Sequence, residues 1–394
     1  MLKLDSHASG QHFLHIPGPS PVPPRVLRAI SYQTIDHRGP EFGQLGLKLI
    51  SGIQKIFKTT QPVIIFPSSG TGAWEGAMVN TLSSGDLVLM YETGHFATLW
   101  KKLADRLGIK TEFISRPSGD NWRYGIDPHL IEERLLKDTN HQIKAVCVVH
   151  NETSTGVTSD IQAVRHAIDN AKHPALLIVD TISGLASIDY EHEKWGVDVS
   201  ISGSQKGLMM PPGLGFNAIS PKALEANKKS NLIKAFWAWD EILESNKNGY
   251  WPTTPSTNLM YGLHEAMEMI MTEGLDNVFK RHDRLAKACR AAVAAWGLEL
   301  QCQDSSVYSP VLTGVVMPQG VNADDVRKVA LERYNLSLGT GLGKIKGHMF
   351  RIGHLGDCNE LALLGALSGT EMALKATGIK LAGSGVVAAQ EILQ

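Results

Sequence analysis

Between residues 22 and 270, short β-branched runs alternate with segments of helical periodicity, and this limits the fold more than any other feature. Runs at 63–66, 86–91, 110–114, 145–150, 175–180 and 197–202 read as strands. Helical patterns begin near Ala73 and fill 96–107, 128–136 and 161–171. Strands joined through helices return in the same direction, so repeated units build a mostly parallel sheet covered on both faces. The expected class is α/β.

The flanks differ from this stretch. Residues 1–21 are polar and then proline-rich (IPGPSPVPP), which reads as an arm without a core element. From 271 the pattern shifts to a long helix at 277–296, strands at 298–302, 311–317 and 349–352, and helices at 323–333 and 360–377. The expected division is an arm at 1–21, a large domain at 22–270 and a smaller α+β domain at 271–394.

The balance of 38 basic against 39 acidic residues offers no field for nucleic acid or an anionic membrane. No apolar run is long enough to span a bilayer. The first residues lack a signal-peptide core and the tail lacks Ser-Lys-Leu. Four widely spaced cysteines form no Cys-x-x-Cys pair. The expectation is a soluble cytoplasmic protein.

Ligands of an open parallel sheet bind beyond the carboxyl ends of its strands, and four such ends carry polar chemistry here. Pro67-Ser68-Ser69-Gly70-Thr71-Gly72-Ala73 is either a tight strand–helix turn or a phosphate cradle. Its glycines give G-x-G-x-x-x-G, one residue too long for a dinucleotide fingerprint, which argues against a nicotinamide dehydrogenase. Asp180 closes an apolar strand, as a salt-bridged or capping acid or as a functional one. Lys206 follows the run Val197-Asp198-Val199-Ser200-Ile201 and precedes Gly207-Leu208-Met209-Met210. That is a poor place for a solvated lysine. Residues 149–156, VHNETSTG, are either a helix cap or polar groups facing a ligand. Taken together, a phosphate site, an acid and an amine on one sheet edge are what pyridoxal phosphate requires. Arg351, in the apolar run FRIG, suits a substrate carboxylate or a structural ion pair. His264-Glu265 is half of a zinc-protease motif, but Glu268 stands where the second histidine belongs.

With these residues in place, the chain resembles the class V, fold-type I pyridoxal-phosphate aminotransferases, and within them the serine–glyoxylate group. The matching stretches are SSGTGAWEGAMVNTLSSGD, IKAVCVVHNETSTGVTSDI, KHPALLIVDTISG, WGVDVSISGSQKGL, YWPTTPS, RYNLSLGTGLGKIKGHMFRIGHLGD and GSGVVAAQ. The resemblance implies a fold-type I large domain with a smaller C-terminal domain. It implies that Lys206 binds the aldehyde of pyridoxal 5'-phosphate and that Asp180 pairs with its ring nitrogen. Ser69, Gly70, Thr71 and Gln205 match the phosphate site, Phe96 the stacking ring, and Thr153 a hydroxyl near the phenolic oxygen. Tyr250 and Thr253 match residues that reach the phosphate from a neighbouring subunit, implying a homodimer with shared sites. Arg351 matches the carboxylate clamp. Pro17 and Gly18 match a lining segment, and Arg38, in Asp36-His37-Arg38, a substrate-side loop donated in trans. The implied reaction moves the amino group of a small amino acid to glyoxylate, with L-serine as donor and alanine, asparagine or aspartate as alternatives. Two rivals stay in view: a cysteine desulfurase using Cys358, and a non-catalytic anion-binding scaffold.

Overall fold

The computed structural model describes residues 9–394 apart from Ser118 and Asp120. The chain opens with strand β1 (Phe13–His15), then helices α1 (Pro24–Ile30) and α2 (Pro40–Phe57). Strand β2 (Val63–Phe66) leads into α3 (Gly70–Thr81), β3 (Leu87–Tyr91) into α4 (His95–Arg106), and β4 (Lys110–Ile114) follows. Next come β5 (Ile143–Val149), a short hairpin of β6 (Asn151–Glu152) and β7 (Val157–Thr158), then β8 (Leu176–Asp180), β9 (Val199–Gly203) and β10 (Gly215–Ile219).

The larger sheet has the order β2-β10-β9-β8-β5-β3-β4. Strand β10 runs antiparallel to both its neighbours, and the others point the same way. The six strand runs read between residues 22 and 270 all lie in this sheet. β10 does not stand out in the sequence, because GFNAI follows a Gly- and Pro-rich turn and carries Asn217 at its centre. That polar side chain is buried, and its amide donates to Ala73 O at 3.0 Å. The order matters for function. The carboxyl ends of β2, β3, β5, β8 and β9 share one edge, so the turns after them are neighbours in space though far apart in the chain.

The second sheet contains β11 (Glu299–Leu300), β12 (Leu312–Val316), β13 (Leu336–Thr340) and β14 (Met349–Gly353), in the order β1-β13-β14-β12-β11. Its edge strand β1 comes from the residues read as an arm, pairing Phe13, Leu14 and His15 with Leu336, Ser337 and Leu338. Three residues are too few to show a period, and their partners lie more than 300 residues away, so only tertiary pairing reveals this strand. The second sheet has its own apolar core, with Leu285, Trp296, Val315, Phe350 and Leu367 at or near zero exposure. The first core contains Phe42, Phe66, Trp100, Ile178 and Phe216. No helix among the described residues is long and apolar enough to cross a membrane.

Burial pushes His150, His192 and His282 down to about 4, so all three are neutral in the fold. Unfolded, they bind protons below an ordinary value near 6.5. Stability contributed by their neutral forms is complete above that value and is lost as pH falls towards the folded value. Each histidine withdraws on the order of 3 kcal/mol by the lower limit. Urea midpoints of the unloaded protein are therefore expected to fall between about pH 7 and pH 5. A midpoint that stays level across this range contradicts the buried-neutral assignment.

Candidate active site

The edge at the carboxyl ends forms a cavity of about 90 Å³ lined by Ser69, Thr71, Phe96, Thr153, Asp180 and Lys206, with Trp74, Asn151 and Gln205 also at its wall. These groups arrive from five strand ends, those of β2, β3, β5, β8 and β9.

At the end of β2, Ser69 holds the N-cap position of α3 in extended conformation, and its side chain caps nothing. The first N–H groups of the helix are therefore free for an anion, which the helix dipole also favours. Glycine at 70 allows close packing: a Cβ there falls 2.4 Å from Ile182 Cδ1, which would have to move. Gln205, at the pocket wall, has a buried Oε1 without a partner. Such an amide is set to meet a ligand.

Asp180 ends β8 and is 3 % exposed. Its Oδ1 accepts from the backbone N–H of Ile182 at 2.7 Å and its Oδ2 from the Trp74 indole at 2.9 Å. Burial raises its carboxyl to about 7, against those two donors. A cation placed opposite would return it to the carboxylate form.

Lys206 is 8 % exposed, and its Nζ donates to Pro17 O at 2.8 Å. Burial lowers its amine to about 8, the positive charge of Arg351 adds to that, and Asp180 opposes it. The N-terminal segment thus closes one side of the site. A Cβ on Gly18 falls 2.2 Å from Lys206 Nζ, and φ at Gly18 is +131°, so both space and backbone conformation require glycine.

Arg351 lies on β14 of the second sheet, 7 % exposed. It donates to Thr153 O at 2.7 Å and to Thr340 O at 2.8 Å, bridging the two sheets beside the pocket. Phe96 sits in the first turn of α4. The N–H groups of Phe96 and Ala97 donate to the buried carboxylate of Glu152 at 3.3 and 3.2 Å. The polar run after β5 therefore acts partly as a cap, though on α4 rather than on the helix that follows it. Thr153 and Asn151 from the same run do face the pocket.

Three of the residues singled out in the sequence stand apart from this pocket. Tyr250 is half-buried and donates to Gly39 O at 3.3 Å, while Thr253 and Arg38 are exposed. Thr71, at the pocket wall, is exposed as well, so the phosphate end of the site is open on one side. Trp74 escaped the sequence reading. Its only signal is a large aromatic four residues beyond Gly70, which reads equally well as core. The rival chemistries find little support. Cys358 is buried, and burial lifts its thiol to about 12, far from a thiolate nucleophile. Glu265 of the half zinc motif is paired with Arg25 at 2.6 Å.

An uncapped helix start, a buried acid and a buried amine around one space are the groups that pyridoxal phosphate requires, and comparison with known proteins places the chain in a class that uses it. The sequence model described as aminotransferase class V matches residues 12–351, and the chain belongs to that family. It is 46 % identical over 391 residues to serine–glyoxylate aminotransferase of Arabidopsis thaliana, covering 98 % of this chain and 96 % of the relative. It is 44 % identical over 386 residues to L-aspartate–glyoxylate aminotransferase of Paracoccus denitrificans, covering 97 % and 96 %. The crystal structure of ureidoglycine–glyoxylate aminotransferase from Bacillus subtilis superposes with a TM-score of 0.89 at 25 % identity, covering 98 % and 99 %. The protein is a pyridoxal-phosphate-dependent aminotransferase.

Only a neutral amine attacks an aldehyde, so the low value at Lys206 bears on loading. An ordinary lysine is neutral only above 10.5, whereas this one loses its proton through about 8. The rate at which the unloaded protein takes up pyridoxal phosphate covalently is expected to rise with pH and level off above about 8. Arg351→Met removes a positive neighbour and is expected to shift that midpoint upward. Stopped-flow absorbance across pH checks both.

Proposed function

We propose that this chain transfers the amino group of L-serine to glyoxylate, giving hydroxypyruvate and glycine, at the pocket between Asp180 and Lys206. The observation that carries the reading is the meeting of that acid, that amine and the uncapped start of α3 in one buried space. The high identity to a serine–glyoxylate enzyme over nearly the whole chain supports the choice of substrates.

Pyridoxal phosphate, when bound, supplies an aldehyde that accepts amino groups and a cationic ring that withdraws electrons from the substrate α-carbon. Ser69, Gly70, Thr71 and Gln205 would hold its phosphate, Asp180 would face its ring nitrogen with a carboxylate, and Phe96 and Thr153 would line the ring. Lys206 would hold its aldehyde. The neutral Nζ of Lys206 would take the α-proton of the amino acid as general base and return a proton as general acid. Arg351 clamps the α-carboxylate of the substrate. Pro17 and Gly18 wall off water on the side where Pro17 O already meets Nζ.

The chain acts, on this reading, as a homodimer with shared sites. Tyr250, Thr253 and Arg38 lie outside the pocket of their own chain, and the pocket is open at Thr71. Tyr250 of the partner subunit and Thr253 of the partner subunit complete the phosphate site, and Arg38 of the partner subunit reaches the substrate side. The four free buried cysteines suit a reducing compartment, and we assign the chain to the cytoplasm.

The reading is tested by turnover with glyoxylate as acceptor and serine, alanine, asparagine and aspartate as donors. Serine is expected to give the highest kcat/KM. A higher value for aspartate assigns the chain instead to the second activity, which the Paracoccus denitrificans relative carries in its name. Lys206→Ala is expected to abolish the covalent cofactor band and to lower turnover by about a thousandfold or more. A variant that keeps both sinks the assignment.

Subunit sharing makes a separate prediction. Lys206→Ala and Thr253→Ala each impair both sites of their own homodimer. A mixed dimer carries one site with Lys206 intact and an intact Thr253 facing it. Co-expression is therefore expected to recover up to about a quarter of wild-type activity from a random mixture of the two chains. No recovery above the sum of the parents means Thr253 serves its own chain.

A further inference from the structure

Trp74 lines the pocket, and the roles assigned so far leave it unused. It lies in α3 just beyond the free N–H groups, 2 % exposed. Its indole Nε1 donates to Asp180 Oδ2 at 2.9 Å, while the N–H of Ile182 donates to Oδ1 at 2.7 Å. The two donors differ in kind. Ile182 belongs to the turn leaving β8, so its amide is local to the acid. Trp74 reaches across from another element and ties the acid to the helix that holds the anion.

The indole is itself fixed. Its ring lies nearly parallel to that of Trp100, with 5.8 Å between centroids and 11° between planes. Trp100 is fully buried, and its own Nε1 has no partner. Trp100 thus contributes a flat apolar surface and no hydrogen bond to the acid.

The chemistry of the pair is one-sided. An indole N–H donates at every pH and never accepts. It supports the carboxylate and meets a proton on Oδ2 as a clash of two hydrogens. Burial and the nearby Glu152 both favour the protonated acid, so the acid depends on donors that cannot reverse.

We propose that Trp74 is a positioning residue for the transamination, its indole N–H holding Asp180 ionised and turned into the pocket, with Trp100 bracing the indole. This rests on the pyridoxal-phosphate reading of the pocket given above. Two measurements test it, neither of them turnover.

The first uses the unloaded protein. Protonation of Asp180 alters the hydrogen bond to the indole, so tryptophan emission is expected to titrate near neutral pH in the wild type and to stay level in Asp180→Asn. Identical profiles in the two proteins overturn the coupling. This measurement needs no change at Trp74, so it stands even where that variant fails to fold.

The second compares Trp74→Phe with Trp100→Phe after loading with pyridoxal phosphate. Both lose indole area from the same stack, but only the first loses a donor to a buried charge. Trp74→Phe is expected to release the cofactor about tenfold faster on dilution and to shift the pH at which the bound cofactor's visible band changes. Trp100→Phe is expected to stay within about twofold of wild type on both measures. Equal effects in the two variants, or none in Trp74→Phe, overturn the proposal. A wild-type protein that takes up no cofactor refutes the pocket reading itself, which is a different failure.

Discussion

A carboxylate and an amine, both buried, share one pocket, and the surroundings are arranged to keep both usable. Burial alone drives Asp180 towards its neutral acid and Lys206 towards its neutral amine. For the role proposed for the lysine this is the wanted direction, since only a free amine can serve as nucleophile and base. For the acid it is the wrong one, since a neutral acid cannot face a cationic ring. The structure resolves the conflict with donors. Asp180 receives one hydrogen bond on each oxygen, whereas Lys206 gives its bond to a backbone carbonyl that imposes no charge.

That arrangement depends on the direction of the strands. Because β2, β5, β8 and β9 point the same way, the anion-binding turn, the polar run, the acid and the lysine reach a common edge. The second sheet then presses Arg351 against this edge through Thr153 O. The guanidinium is buried, its value lowered to about 10 by desolvation, yet it remains charged and lowers the lysine further. Glu152 offsets that charge and caps the start of α4, which presents Phe96 to the pocket. Glycine at 94 permits this approach, because a Cβ there falls 2.4 Å from Glu152 Cγ. Balanced charge on a crowded edge thus rests on small residues as much as on charged ones.

Much of the fold was legible because the inner strands are apolar on both faces and end in turn residues. Val63–Phe66 and Lys110–Ile114 were read with their true bounds. Helix α2 and the helix Thr257–Glu273 went unread, although the first has a strongly amphipathic pattern. Neither helix is flanked by a parallel strand pair, so strand–helix alternation does not mark it. The reversed strand β10 and the three-residue β1 carry too little local pattern, and their pairing partners decide them. In the site, Asp180, Lys206 and the 68–73 turn were legible because each places polar chemistry directly after an apolar strand. Trp74 was not, because a buried aromatic looks the same whether it packs or donates.

The sequence by itself determined the direction of the sheet, the class of enzyme, and which acid and which amine end neighbouring strands at its edge. These follow from local order: strand, turn, polar residue. Only the tertiary structure decided that Pro17 O meets the lysine, that Trp74 and Ile182 share the acid, that Glu152 caps the helix leaving the neighbouring strand β3, and that Tyr250, Thr253 and Arg38 stand apart from their own pocket. Contacts between residues tens or hundreds of positions apart leave no period in the chain. They are set when the sheets close and desolvate the groups between them.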